Sequence, residues 1–173
     1  MKTILYMVTS LDGRISYDKD DTSWVDEKTF ELLASLMVEC GVMLMGSETY
    51  RSFGDDLPND KALQVVFTRN PELLATKIDN VRFTDRNPRD VLRDLELEGF
   101  TQVMFAGGEN LNTTLFDEDL VDEIRLIVKP LVLGNGKLLS GELSKIKEFE
   151  LISVEKLENG AMEMRLERKI PHS

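Results

Sequence analysis

The chain has 173 residues, 42% hydrophobic and 31% charged, a composition that fits one globular domain able to bury about 70% of its unfolded surface. A formal net charge of −11 leaves no basic stripe to neutralise phosphates, so nucleic acid and anionic membrane surfaces are not expected partners. A single cysteine excludes an intramolecular disulfide and no segment approaches the ~20 apolar residues that cross a bilayer, so a cytoplasmic protein is expected.

In chain order, Ile4 to Val8 reads as a buried strand that stops at Thr9 and Ser10. The charged stretch Leu11-Asp12-Gly13-Arg14 then distinguishes this start from a secretory signal. Asp26 is a helix N-cap candidate, and Phe30, Leu33, Leu36/Met37 and Cys40 share a helical stripe that Gly41 ends. Cys40, on that stripe, reads as a small buried hydrophobe. Val42 to Met45 is a second strand, and Gly46 opens a turn and a short helix through Phe53. Leu63 to Phe67 and Val81 to Phe83 are the third and fourth strands. Pro88 to Glu98 predicts a helix with Val91, Leu92 and Leu95 on one face, stopped by Gly99. Val103 to Phe105 is a strand that runs through Gly107 and Gly108 into an amphipathic helix carrying Leu111, Leu115 and Phe116. Glu123 to Val128 is the next strand. Gly134-Asn135-Gly136 and Glu158-Asn159-Gly160 read as hairpin-type turns, and Phe149 to Lys156 with Met162 to Arg168 alternate as paired antiparallel strands. This order predicts an α/β fold of three layers, α/β/α, with a mixed central sheet and antiparallel C-terminal strands. A single domain is expected over 1–170, with a tail at 171–173.

The strand–Gly107-Gly108–helix joint carries the clearest chemical signal. Glycine lets a ligand reach the main chain, and the helix N-terminus offers bare N–H groups, a ready site for phosphate or pyrophosphate. The same joint also serves as a plain tight turn. Gly134-Asn135-Gly136-Lys137 lacks the Walker spacing and a Ser or Thr after the lysine, so it reads as a turn. The one histidine, His172, lies in the tail, and no spaced His, Cys or carboxylate set suggests a metal.

Several ordered segments agree with the glycine joint: Thr9-Ser10-Leu11-Asp12-Gly13-Arg14, Met45-Gly46-Ser47-Glu48-Thr49-Tyr50, Val65-Val66-Phe67-Thr68-Arg69, and Ala106-Gly107-Gly108-Glu109-Asn110-Leu111. Leu120-Val121-Asp122-Glu123-Ile124 and Lys129-Pro130-Leu131-Val132-Leu133-Gly134 follow. Together they resemble the dihydrofolate-reductase-like superfamily, and within it a stand-alone relative of the reductase domain of the riboflavin-biosynthesis deaminase-reductase. The resemblance implies NADPH lying across the C-terminal ends of the sheet, with a small-molecule substrate beside it. Gly46, Ser47 and Thr49 would meet its phosphates; Gly107, Gly108, Glu109, Asn110 and Leu111 would cradle the pyrophosphate. Thr68 and Arg69 would sit by the adenosine ribose, where a guanidinium suits a 2′-phosphate. Thr9 and Trp24 would line the nicotinamide end. Relatives of this kind are commonly dimers, so a symmetric homodimer built partly from Glu123 to Leu133 and the final strands is expected.

The departures from the riboflavin reductases concern the substrate. Tyr50-Arg51-Ser52-Phe53-Gly54-Asp55 stands where those enzymes carry an acidic stretch and an arginine, Ala106 where they carry Glu, and Met37 where they often carry Arg. A more apolar substrate pocket is therefore expected around Thr22, Met37, Phe53 and Ala106, with Thr22 or Arg51 left to meet any substrate phosphate. No catalytic group is assigned; Asp12, Glu27 and Glu31 are the candidates. The expected activity is NADPH-dependent reduction of a small pterin- or pyrimidine-like ring. The alternatives are 5-amino-6-(5-phosphoribosylamino)uracil reduction and a non-catalytic nucleotide-binding module.

Overall fold

A computed structural model describes residues 1–54 and 61–169. In chain order the elements are β1 (Lys2–Thr9), α1 (Glu27–Cys40), β2 (Val42–Gly46), α2 (Ser47–Phe53), β3 (Leu63–Phe67), α3 (Pro71–Ala75), β4 (Val81–Thr84), α4 (Pro88–Leu97), β5 (Gln102–Phe105), α5 (Glu109–Asp117), β6 (Glu123–Val128), β7 (Phe149–Lys156) and β8 (Met162–Arg168).

The eight strands form one sheet in the order β4-β3-β2-β5-β1-β6-β8-β7. β1 to β6 are mutually parallel, and β8 and β7 add to them antiparallel. Parallel strands are covered on both faces, which is why β1, β2 and β5 read as continuous apolar runs. Ile4, Tyr6, Met43, Met45 and Met104 pack against α1 on one face. Leu5, Leu44, Val103 and Phe105 pack against α4 and α5 on the other, through Leu95 and Leu115. Phe105 and Leu115 are both fully buried, so the glycine joint between them is anchored at each end by side chains whose truncation costs about 3–5 kcal/mol.

Local signals account for most element ends. The Asp26 carboxylate accepts from the Thr29 amide at the start of α1, and Gly41 closes that helix at φ 72°. Asn87 caps α4 with Pro88 behind it. The Glu158–Gly160 turn joins β7 and β8, with Lys156 opposite Met162. Two expectations need correction. α3 was not expected; Asn70 caps it and Pro71 starts it, but five residues are too short for an apolar period. Gly134-Asn135-Gly136 is not a hairpin turn, because no strand flanks it. Instead it lies against the segment after β1, where a Cβ on Gly136 would stand 1.9 Å from the Ser16 carbonyl oxygen. His172 and the tail lie outside the described residues. Among the described residues no helix is long and apolar enough to cross a membrane.

Candidate functional site

Two cavities open beyond the C-terminal ends of the parallel strands. The first, about 510 Å³, lies between β1, α1 and α2. Its walls are Val8, Ile15, Phe30, Leu33, Phe53 and Ala106, with Thr22 and four carboxylates, Asp20, Asp26, Glu27 and Glu48, at its edges. Phe30 and Phe53 face each other at a centroid distance of 6.0 Å. The second is a groove of about 1010 Å³ running from Gly46, Ser47 and Thr49 past Thr68 and Arg69, and bounded by the first turn of α5. Glu48, Thr49, Gly108 and Lys137 line both, so the two spaces meet there.

The junction is built by the glycine pair. Gly107 and Gly108 have φ of 81° and 108°, conformations costly for other residues. The Gly107 carbonyl accepts from the Gly46 amide at 3.2 Å and from the Thr49 hydroxyl at 3.3 Å. Gly108 has no side chain to cap α5, and the first-turn amides of Glu109, Asn110 and Leu111, residues that line the groove, have no intrahelical acceptor. Helix N-termini of this kind favour anions. Arg69 is exposed at the far end and forms no ion pair among the described residues.

Asp26 occupies a corner of the first cavity and has four donors. They are the Thr29 amide at 2.9 Å and hydroxyl at 2.8 Å, the buried Lys129 ammonium and the Asn159 amide at 2.9 Å. Partial burial pushes the Asp26 carboxyl up, but the bonds from Lys129 and Thr29 outweigh it and hold the group well below the usual carboxylate range. Tyr6, on the same wall, donates to the Thr29 carbonyl at 2.8 Å. Burial pushes its phenol well above the ordinary value, and Glu163 and Asp26 add to the effect.

Gly46, Ser47, Thr49, Thr68, Arg69, Gly108, Glu109, Asn110 and Leu111 all line the groove, as their segments imply. Thr22, Phe53, Ala106 and Glu27 line the first cavity. Six other residues do not line either space. Thr9 is buried and its carbonyl accepts the Lys129 amide at 2.8 Å. Trp24 turns its indole N–H back to the Asp21 carbonyl at 3.1 Å. Gly107 is a packing glycine: a Cβ there would stand 2.3 Å from the Met7 sulfur. Met37 is fully buried in the core, because ten residues of helix carry it about 15 Å from Glu27 at the rim. Asp12 ties a loop, accepting from Ser10 Oγ at 2.6 Å and from the Leu133 and Gly134 amides at 3.1 and 2.8 Å. The Ser10 hydroxyl and those amides hold its carboxyl at about 2. Glu31 pairs with Lys28 on the exposed face of α1. Among the three carboxylate candidates, only Glu27 reaches the cavity. Sequence reasoning missed Tyr6, Lys137 and the cavity role of Asp26; the N-cap signal identified Asp26, but for its helix alone.

Paired cavities beyond the carboxyl ends of a largely parallel sheet stand where α/β proteins of the open-sheet type hold their ligands. The chain belongs to the RibD C-terminal domain family, whose profile matches residues 1–162. It is 28% identical over 156 residues to the Bacillus subtilis (strain 168) protein YwjB, covering 87% of this chain and 88% of that one. The solved structure of a Shewanella sp. PV-4 protein named for riboflavin biosynthesis matches with a TM-score of 0.81 at 25% identity, over 98% of this chain and 100% of that one. RibD from Acinetobacter baumannii shares the fold at a TM-score of 0.79 and 20% identity, over 98% of this chain and 58% of that one. The α/β fold with antiparallel terminal strands is thus that of the RibD reductase-type domain.

Proposed function

We propose that the protein is an NADPH-dependent reductase of a small pterin- or pyrimidine-like ring. The observation that carries this reading is the meeting of two unlike spaces at Thr49 and Gly108. One is a long groove with helix first-turn amides and a guanidinium that has no ion pair among the described residues; the other is a compact aromatic cavity. An elongated anionic dinucleotide suits the groove, and a flat ring suits the cavity that the contacting pair Phe30 and Phe53 helps to wall. The amides of Glu109 to Leu111 and the Thr49 hydroxyl would hold the pyrophosphate, and Arg69 the 2′-phosphate. NADPH, when bound, supplies the hydride, and the chain positions the two rings and excludes water. Phe30, Leu33 and Phe53 provide the apolar enclosure, while Glu27, one of four carboxylates at its edge, would be available to hold or relay a proton.

Charge supports one substrate class over the other. The first cavity carries Asp20, Asp26, Glu27 and Glu48 against Lys137 in its lining and Lys129 behind Asp26, so carboxylates outnumber cations among the described residues. A substrate phosphate brought there would face net repulsion and few donors, which is costly away from bulk water. An uncharged ring is favoured over a phosphoribosylamino-pyrimidine. The Thermotoga maritima deaminase/5-amino-6-(5-phosphoribosylamino)uracil reductase shares this fold at 17% identity; its second named activity is the competing reading.

Fluorescence titration with NADPH, followed by cofactor-oxidation assays over pterins, dihydrofolate, and pyrimidines with and without the phosphoribosyl group, tests the proposal. Saturable NADPH binding with oxidation by an uncharged ring is the expected result. Binding with no oxidation by any of them would leave a nucleotide-binding module, and efficient reduction of the phosphorylated pyrimidine would overturn the substrate assignment.

A further inference from the structure

The Gly134-Asn135-Gly136-Lys137 tract forms neither a hairpin nor a phosphate loop, yet its lysine stands where the two cavities join. We propose that Lys137 is a specificity-determining cation of the anion cradle: an ammonium parked between Asp20 and Glu48 that exchanges those carboxylates for the pyrophosphate of a dinucleotide. The inference rests on the dinucleotide reading above and adds a residue to it.

The main chain at Lys137 is pinned on both sides. Its carbonyl accepts the Ile15 amide at 2.9 Å, and its amide donates to Ser16 Oγ at 3.2 Å. Gly136, at φ 106°, allows this approach, because any Cβ would collide with the backbone of Ser16 and Tyr17. The next residue is fixed to the cradle itself: the Leu138 amide donates to the Glu109 carboxylate at 2.7 Å, in the first turn of α5. Asn112, one turn further on, donates to the Leu139 carbonyl at 2.8 Å. The base of the side chain is therefore held beside the α5 N-terminus, and only its end is free to choose partners.

The partners it now has are weakly bound ones. Lys137 Nζ lies 2.6 Å from Asp20 and 2.6 Å from Glu48, whose side chains are 63% and 62% exposed. Water competes for such exposed carboxylates, so releasing them costs little, whereas an ammonium–phosphate bond inside a groove is charge-assisted and less screened. Glu48 directly precedes Thr49, whose hydroxyl oxygen is 3.4 Å from the position of a Cβ on Gly108. The ammonium thus waits next to the cradle. It is also needed there, since Glu48 and Glu109 both bring negative charge to a site meant for an anion. Burial pushes the Lys137 amine down, but Asp20 and Glu48 more than reverse this, so the group stays charged.

Lys137→Met is expected to raise the Kd for NADPH about tenfold or more, the loss of one charge-assisted bond, and to weaken competition by inorganic pyrophosphate. Lys137→Arg should retain most of the affinity. Adenosine 2′-monophosphate reaches the Arg69 end without a pyrophosphate, so its Kd should not change in Lys137→Met; a merely structural role would weaken both ligands together. The double variant Asp20→Asn/Glu48→Gln keeps the lysine and frees it, and should bind NADPH more tightly than wild type. Unchanged NADPH affinity in Lys137→Met, parallel loss of both ligands, or weaker binding in the double variant would overturn the assignment of Lys137 while leaving the reductase reading standing. Wild-type protein that binds neither NADPH nor pyrophosphate would overturn both.

Discussion

Replacing Gly108 with alanine separates the cradle from the fold that supports it. Gly108 sits at φ 108° and ψ 135°, where a residue with a Cβ is strained by about 1–3 kcal/mol. The added methyl finds only the Thr49 hydroxyl, at 3.4 Å, so backbone strain is the whole expected stability cost. For a domain of this size that lowers Tm by roughly 2–4 °C per kcal/mol. Gly108 lines both cavities, so the methyl is expected to take up space at their junction, beside the first turn of α5. A pyrophosphate pushed off two amides of that turn loses about 1.5–3 kcal/mol for each, which amounts to a Kd increase of at least about a hundredfold. Gly107→Ala is the matched control. Its methyl would meet Met7 sulfur at 2.3 Å and Met7 Cε at 2.9 Å, so it should destabilise the core more while lying outside the groove. Thermal melts of both variants, with NADPH titration by fluorescence at a temperature where each is folded, measure the two effects. A folded Gly108→Ala protein with wild-type NADPH affinity would refute the cradle.

Three further outcomes are expected. Arg69 is exposed and unpaired among the described residues, so wild-type protein should prefer NADPH to NADH and Arg69→Ala should erase most of that preference; equal binding of the two cofactors by wild type would contradict the 2′-phosphate role. Asp26→Ala removes the α1 cap, worth about 1–2 kcal/mol, and strands the buried Lys129. The folded carboxyl titrates below its unfolded value of about 3.9, so its contribution is present above that pH and is lost as pH falls through the lowered folded pKa; urea melts should show a deficit at neutral pH that shrinks in acid, and an equal deficit at both would contradict this. β7 is an unpaired edge carrying Leu151, Ile152 and Val154 at 53%, 47% and 46% exposure, an unusual load for a free edge. We propose that a second copy covers it; light scattering should give a dimer at micromolar concentration, Ile152→Lys should weaken it, and a wild-type monomer would rule it out.

The amino-acid order alone determined the elements and the glycine joint that opens α5, because those signals are local. Continuous apolar runs identify strands covered on both faces, Asp26 and Gly41 bracket α1, and a strand entering Gly107-Gly108 opens a helix whose first amides have nothing to bind. Nine of the residues assigned to the cofactor line one groove because they all follow strand ends, and a parallel sheet brings its strand ends to one edge. Tertiary structure decided what depends on direction and on loop path. Met37 lies on the correct helical stripe but too far down the helix, and Gly107 spends its conformational freedom on packing against Met7 rather than on a ligand. Trp24 is spent within its own loop, and Asp12 on tying its loop to the Leu133 and Gly134 amides. Lys137 could be found only in three dimensions, since its carboxylate partners are 117 and 89 residues away along the chain. A contact across that separation leaves no periodicity to read; it exists because the packing of Gly136 on Ser16 and of Leu138 on α5 brings the segments together.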